Sequence, residues 1–268
     1  MHPRLSVSAV SSWAWTLDED LRYWDQAGIE HVGLSFRKLE DAGLEEATRR
    51  IRNAGLRVSN IVELGWWNLD EPATWAAQRS RLFAALDVAV ATDAPALILT
   101  SGPGGRLGWD DALGALEAAI APVRERAEEA RVGLALEHTG PLRLDLSFVT
   151  SLRDGVDAAE ALDIGVCVEV NSCFAERSLE ETLRRAKDRL RHVQVSDFVI
   201  GSLCTPDRAV PGDGDIPLAA ILAWLDAAGY HGALELELVG PRIESEGYEN
   251  SIRRSIAYLD GLLLTSVS

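Results

Sequence analysis

The sequence predicts an α/β protein of the (β/α)8 TIM-barrel class, one domain spanning residues 1–268, and three observations carry that expectation. Eight short runs rich in Val, Leu and Ile recur along the chain, and eight stretches with helical spacing of apolar residues alternate with them. The runs begin at Leu5, His31, Arg57, Ala96, Val132, Ile164, Leu190 and Gly232, so their starts lie 26, 26, 39, 36, 32, 26 and 42 residues apart, about one βα unit each. Glycines also mark returns from helix to strand.

The run at Leu5 precedes a helix over Leu17 to Ala27, and Gly28 supplies the left-handed cap before the run at His31. A helix over Leu44 to Ala54 ends at Gly55 in the same way, ahead of Arg57. Trp75 to Ala91 follows; its apolar part, Leu82 to Ala91, carries Asp87 and is far shorter than the ~18 residues of a membrane span. Ala96 opens the fourth run and Trp109 to Ala130 the fourth long helix. Val132 then pairs with a helix over Phe148 to Leu162, Ile164 with Leu179 to Arg189, and Leu190 with Leu218 to Ala228, which Gly229 closes. Gly232 starts the last run and Tyr248 to Leu263 the last helix. No Pro/Ser-rich linker divides this series. An open dinucleotide-binding sheet is disfavoured, because no GxGxxG follows the first run and Pro103 removes an amide donor from Gly102-Pro103-Gly104-Gly105.

Composition narrows the partners. The chain is 47% apolar and 25% charged, with a net charge of −16 that repels phosphate backbones and anionic membranes, so neither nucleic acid nor membrane is expected. Cys167, Cys173 and Cys204 form no CxxC pair and read as reduced thiols of a cytoplasmic protein. The opening MHPRLSVSAVSSWAW lacks the apolar stretch of a signal peptide.

In such a barrel, chemistry belongs at the C-terminal ends of the strands. Four polar side chains fall there on strands five to eight: Glu137 in ALEHT, Glu169 in VCVEVN, Gln194 in HVQVSD and Glu237 in LELELVG. Carboxylates inside a barrel mouth are costly unless paired, hydrogen-bonded or bound to a cation, which favours a functional reading for Glu137 and Glu237 together. Glu235 shares the face of Glu237 one layer lower, either as a buried partner or through an error of register. Two carboxylates across a pocket can remove a proton beside a carbonyl and return it on the other face or at the neighbouring carbon.

The strings RHVQVSDF, DRAVPGDGDIPLAAIL and AGYHGALELEL, in that order and spacing, resemble the sugar phosphate isomerase/epimerase superfamily. These xylose-isomerase-like barrels include ketose 3-epimerases, hydroxypyruvate isomerase and inosose dehydratase. The resemblance implies a divalent metal on Glu137, Glu169, Gln194 and Glu237, with Glu137 and Glu237 also serving as catalytic acid and base. Glu169 stands at an aspartate position and Gln194 at a histidine position. That all-oxygen set suits Mg or Mn over zinc, or else marks a site that has lost its metal. The family's histidine three residues after Glu169 is Ser172 here, and His192 reads as a core residue.

Substrate contacts implied by the resemblance or by position are Arg208, His138, Arg242, Trp13, Trp15, Trp66 and Trp67. Against these stand pairing of Arg208 with Asp207, Asp213 or Asp215, a surface ion pair for Arg242, and strand alternation that turns His138 outward. One indole of each tryptophan pair is expected to pack under loops, and Trp24, Trp75, Trp109 and Trp224 lie on helices. The expected function is an isomerase or epimerase of a sugar or polyol ketone acting through an enediolate. The alternatives are a lyase or dehydratase on a keto-sugar, including carbon-glycoside cleavage, and a non-catalytic sugar-binding barrel. A DNA-repair endonuclease is disfavoured by five histidines and the −16 charge. Homo-oligomers are common among such barrels, but no sequence feature sets a stoichiometry.

Overall fold

The computed structural model describes residues 1–265. Eight parallel strands close into a barrel in chain order: β1 (Leu5–Ser8), β2 (His31–Ser35), β3 (Arg57–Val62), β4 (Ala96–Thr100), β5 (Gly133–Glu137), β6 (Gly165–Glu169), β7 (Leu190–Val195) and β8 (Leu234–Leu236). Helices α1 (Leu17–Ala27), α3 (Leu44–Asn53), α4 (Trp75–Ala91), α5 (Trp109–Ala130), α6 (Leu152–Leu162), α8 (Leu179–Ala186), α9 (Leu218–Ala227) and α11 (Tyr248–Thr265) form the outer ring. Short helices α2 (Phe36–Asp41), α7 (Val170–Cys173) and α10 (Pro241–Glu246) sit where strands β2, β6 and β8 leave the barrel. No helix among the described residues is long and apolar enough to cross a membrane.

β5 and β6 begin one residue after the predicted starts and β8 begins two after; the other five begin as expected. At β8 the delay has a cause. The carbonyls of Gly232 and Ala233 are taken by Arg4 Nε at 3.1 Å and the Tyr230 hydroxyl at 2.6 Å, so the ladder starts when Leu234 donates to Arg4. The helix expected from Phe148 starts at Leu152, because Phe148 N donates to Gly102 O and Val149 O accepts from Thr139 N. Ser151 then caps α6 by accepting from Asp154 N at 3.1 Å. Arg189, expected in the preceding helix of β7, lies in a turn closed by its N–H on Ala186 O.

Strand alternation separates two environments. Outward residues such as Val7, Leu34, Ile61, Leu97, Leu136, Val168, Val193 and Leu236 are buried against the helices. Each such side chain contributes about 1.5–3 kcal/mol by leaving water. Inward residues are smaller or polar. Val62, Ala96, Ile98, Ala135 and Cys167 make an apolar patch inside the barrel.

Beside that patch runs a polar layer in which Glu235 Oε2 accepts from Asn60 Nδ2 at 3.2 Å and meets His192 Nε2 at 2.7 Å. Ser59 extends the layer to Asn60 Oδ1 at 3.0 Å and to Ser6 Oγ at 2.7 Å. Glu235 is therefore a buried partner, and His192 a core histidine, as its strand position implies. Register shifts between Val32 and Gly33 on β2, and between Val166 and Cys167 on β6, re-aim the facing residues of β3 and β7.

Gly33 makes room for this layer, because a Cβ there would lie 1.6 Å from Glu235 Oε1. Gly33→Ala is expected to displace the carboxylate and destabilise the barrel by about 1–3 kcal/mol or more, as overpacking does. Chemical denaturation of the two proteins checks this, and an unchanged midpoint contradicts it.

Candidate active site

β5 to β8 deliver their polar ends to one side of the barrel mouth. Glu137 and Glu169 are the last residues of β5 and β6, Gln194 is paired with both Glu169 and Glu235 in the ladders, and Glu237 follows β8 directly. All four are buried. Arg208 enters from the loop after β7. Its Nη2 lies 2.5 Å from Glu169 Oε2 in an ion pair, and its Nη1 donates to Glu237 Oε1 at 2.7 Å and to Glu237 O at 2.9 Å. Gln194 Nε2 donates to Glu237 Oε2 at 2.5 Å, and its Oε1 accepts from the Cys167 thiol at 3.5 Å. Asn171 N donates to Glu169 Oε1 at 2.9 Å. The Glu137 carboxylate accepts no hydrogen bond among the described residues.

The electrostatics follow from burial and proximity. Burial pushes Glu137 well above the usual carboxylate range, reinforced by Glu237 and Glu169 and opposed by Arg208. Burial raises Glu169 from 4.5 to about 7 although Arg208 pulls the other way, and it raises Glu237 against the same opposition. Burial works to lower Arg208, but Glu169, Glu237 and Glu137 outweigh it and keep the guanidinium charged.

Asp197, two residues beyond β7, shapes the loop that carries Arg208. Its Oδ1 accepts from Phe198 N at 2.8 Å and Ile216 N at 3.0 Å, and its Oδ2 accepts from Gly212 N at 2.9 Å and Gly214 N at 3.1 Å. A Cβ at Gly214 would lie 2.3 Å from Asp197 Oδ1, so the backbone approaches as only glycine permits. Asp197 and Ala209 also pair across the loop, and Arg208 N donates to Val239 O at 2.9 Å.

A cavity of about 710 Å³ opens beside Glu137, Arg208 and Glu237, bounded on the far side by Trp13, Arg37, Glu63 and Trp66. Glu63 follows β3 as Glu237 follows β8, and Arg81 of α4 donates to its Oε1 at 2.9 Å and to Glu40 Oε1 at 2.8 Å. Burial raises Glu63 against the pull of Arg81. Beneath Trp13, Lys38 Nζ donates to Asp20 Oδ2 at 2.6 Å and to Ser12 O at 2.9 Å, fixing the β1 loop to α2. Glu63 was not among the expected site residues, although VEL repeats the strand-end glutamate pattern; the partners Arg81 and Glu40 carry no comparable signal in the sequence.

Of the expected substrate contacts, Arg208, Trp13 and Trp66 line the cavity; Trp13 and Trp66 are 41% and 54% exposed, with Arg37 stacked 4.3 Å from the Trp13 ring. Trp15 instead packs edge-on against Tyr23 and Tyr248, and Trp67 is fully buried beneath the loop at Gly102. His138 is turned out of the barrel toward Gly155 of α6, where burial drives its pKa down to about 3 and leaves it neutral. Arg242 faces Asp207 Oδ2 at 3.4 Å on the loop exterior. None of these four lines the cavity. Arg208 pairs with glutamates of the barrel rather than with its neighbouring loop aspartates.

Residues 21–261 match the xylose isomerase-like TIM barrel family. The chain belongs to that family. An inosose isomerase of Bacillus velezensis is 29% identical over 131 residues, so the match spans about half of either protein, 47% of each. Protein SMc04130 from Sinorhizobium meliloti 1021 superposes with a TM-score of 0.89 at 24% identity, covering 97% of this chain and 98% of that one. The IOLI protein, solved with a bound zinc atom, superposes with a TM-score of 0.81 at 17% identity, covering 97% of each chain. At these identities the two solved structures speak to the fold.

The metal implied by the family resemblance fits this arrangement poorly. Arg208 holds a cation against Glu169 and Glu237, and Gln194 turns an N–H donor, rather than its oxygen, toward Glu237. Among the described residues no group of three or more His, Cys, Asp or Glu is disposed to hold an ion.

Two outcomes follow. Asp197→Ala removes the two carboxylate oxygens that accept four charge-assisted hydrogen bonds, so amide exchange at Phe198, Gly212, Gly214 and Ile216 is expected to accelerate by on the order of 10-fold or more, while exchange in β4 is unchanged. Equal protection in both proteins contradicts this. Because Glu169 holds its proton more tightly folded than unfolded, its contribution to stability is full below 4.5 and declines as pH rises through about 7. Glu137 and Glu237 add in the same direction. Thermal unfolding across that range is expected to show a smaller decline for Glu169→Gln than for the wild type, and parallel curves contradict it.

Proposed function

We propose that this chain is an isomerase or epimerase of a sugar or polyol ketone, with Glu137 and Glu237 as its proton-transferring pair. The observation that carries the reading is the contrast between these two carboxyls in one cavity. Glu237 accepts from Arg208 and Gln194, contacts that favour its ionised form, whereas Glu137 accepts none and is pushed well above the usual range. The first is suited to act as base and the second as acid.

In the forward direction Glu237 removes the proton from the carbon beside the substrate carbonyl. The C–H electron pair moves into the enediolate, and the charge collects on oxygen beside the Arg208 guanidinium. Glu137 then delivers its proton to the opposite face of that carbon, which epimerises it; alternatively the hydroxyl proton of the enediolate passes to the former carbonyl oxygen and a proton is returned at the former carbonyl carbon, so that the carbonyl moves to the other carbon and the sugar is isomerised. The exposed indoles of Trp13 and Trp66 suit the C–H faces of a sugar ring. The partial similarity to inosose isomerase supports a cyclic polyol ketone as one candidate class.

In deuterated water the protein is expected to wash label into the carbon next to the carbonyl of a bound keto-sugar, even when net turnover is slow. Glu137→Gln and Glu237→Gln each keep the shape and remove the basicity, so each is expected to reduce wash-in by about 10²–10⁴-fold with the fold intact. A sugar ketone that binds the wild type and both variants equally, and exchanges in none, makes the chain a sugar-binding barrel instead.

A further inference from the structure

We infer that Arg208 occupies the role of a divalent cation in this barrel, so that the carboxylate cluster works without a metal and excludes one. The inference deepens the proton-transfer reading above and rests on it for the chemistry, though not for the binding behaviour it predicts.

The donor atoms carry the argument. Glu169 Oε1 accepts from Asn171 N at 2.9 Å and its Oε2 faces Arg208 at 2.5 Å; Glu237 Oε1 accepts from Arg208 at 2.7 Å and its Oε2 from Gln194 at 2.5 Å. Three of these four oxygens accept N–H hydrogen bonds and the fourth, Glu169 Oε2, is held by the charge of Arg208 alone, while Gln194 offers a donor where an imidazole would offer a lone pair. Glu137 alone keeps its oxygens free of hydrogen bonds. A hard dication needs several oxygens at once and would have to expel a guanidinium of like sign to gain them.

That guanidinium is held firmly. Its side chain is 12% exposed, its residue is tied to Val239 O through the backbone, and its Nη1 also donates to Glu237 O. Asp197 holds the rest of the loop through four backbone amides. Gly240 lets its backbone approach that of Pro206 and Asp207 closely, since a Cβ there would lie 2.5 Å from Pro206 O. Arg208 Nε donates to no partner among the described residues. It is available to an oxyanion at the moment the carbon-bound proton passes to Glu237, with charge that is permanent at any physiological pH.

Mn²⁺ and Zn²⁺ alone are the probes. Protein expressed with both metals supplied is expected to carry only traces of either after dialysis, and titration with Mn²⁺ at millimolar concentration is expected to show no saturable binding. The double variant Arg208→Ala/Gln194→His is expected to gain Mn²⁺ binding, tighter than wild type by on the order of 10-fold or more, read by electron paramagnetic resonance. Stoichiometric metal in the wild type, lost in Glu169→Gln, overturns the inference whether or not the double variant folds. Deuterium wash-in separates this result from the proposed function. Wash-in that requires added metal overturns the role of Arg208 and leaves the isomerase reading standing. A metal-free protein that binds sugar ketones without exchange overturns the isomerase reading and leaves the exclusion of metal standing.

Discussion

Glu137, Glu169, Glu235 and Glu237 all point into one barrel interior, and the guanidinium of Arg208 is the cation that touches two of them. Buried carboxylates repel one another and lose their hydration, so such a cluster is tolerated only when a counter-charge and directed hydrogen bonds replace water. Much of the surrounding architecture serves that requirement. The loop after β7 is folded around Asp197 so that Arg208 arrives at a fixed depth, and Gln194 spends its amide on Glu237. One layer down, His192 and Asn60 contact Glu235, and Gly33 has no side chain in the space that carboxylate fills.

The barrel mouth is divided in labour. The β5 to β8 side holds the carboxyls and the guanidinium, dense with charge and buried. The β1 to β3 side offers indole faces and a second acidic group, Glu63, already bound by Arg81. The cavity between them has indole surface on one flank and carboxyl and guanidinium groups on the other. The buried Lys38–Asp20 pair keeps the aromatic flank in place, and burial raises Asp20 to about 6 even with the ammonium beside it.

Most of the framework was legible because periodicity reports burial, and burial defines the barrel. Strand starts at Leu5, His31, Arg57, Ala96 and Leu190 coincide with those observed, since each opens a run whose outward residues meet the helices. The short helices α2, α7 and α10 leave no periodic signal in the sequence, because four to six residues carry too little of a helical repeat. Within the site, Glu137, Glu169, Gln194 and Glu237 were recognisable from their places at strand ends. The role of Asp197 was hidden, although it stands in HVQVSDF, because its partners are backbone amides that any sequence contains. The tryptophan pairs show the same limit: neighbouring indoles look equivalent in the sequence, and only the loop path decides that Trp13 and Trp66 face the cavity while Trp15 and Trp67 are packed away.

The Asp197 loop has a consequence for how this barrel can diversify. Its shape is written in main-chain contacts to two carboxylates, Asp197 and Asp215, while the side chains of Ile200, Leu203 and Cys204 on its outer span are exposed. Mutations there can accumulate and recombine without disturbing the guanidinium at the loop's base. Selection can therefore vary the rim of the cavity while the guanidinium–carboxylate cluster beneath it is inherited unchanged.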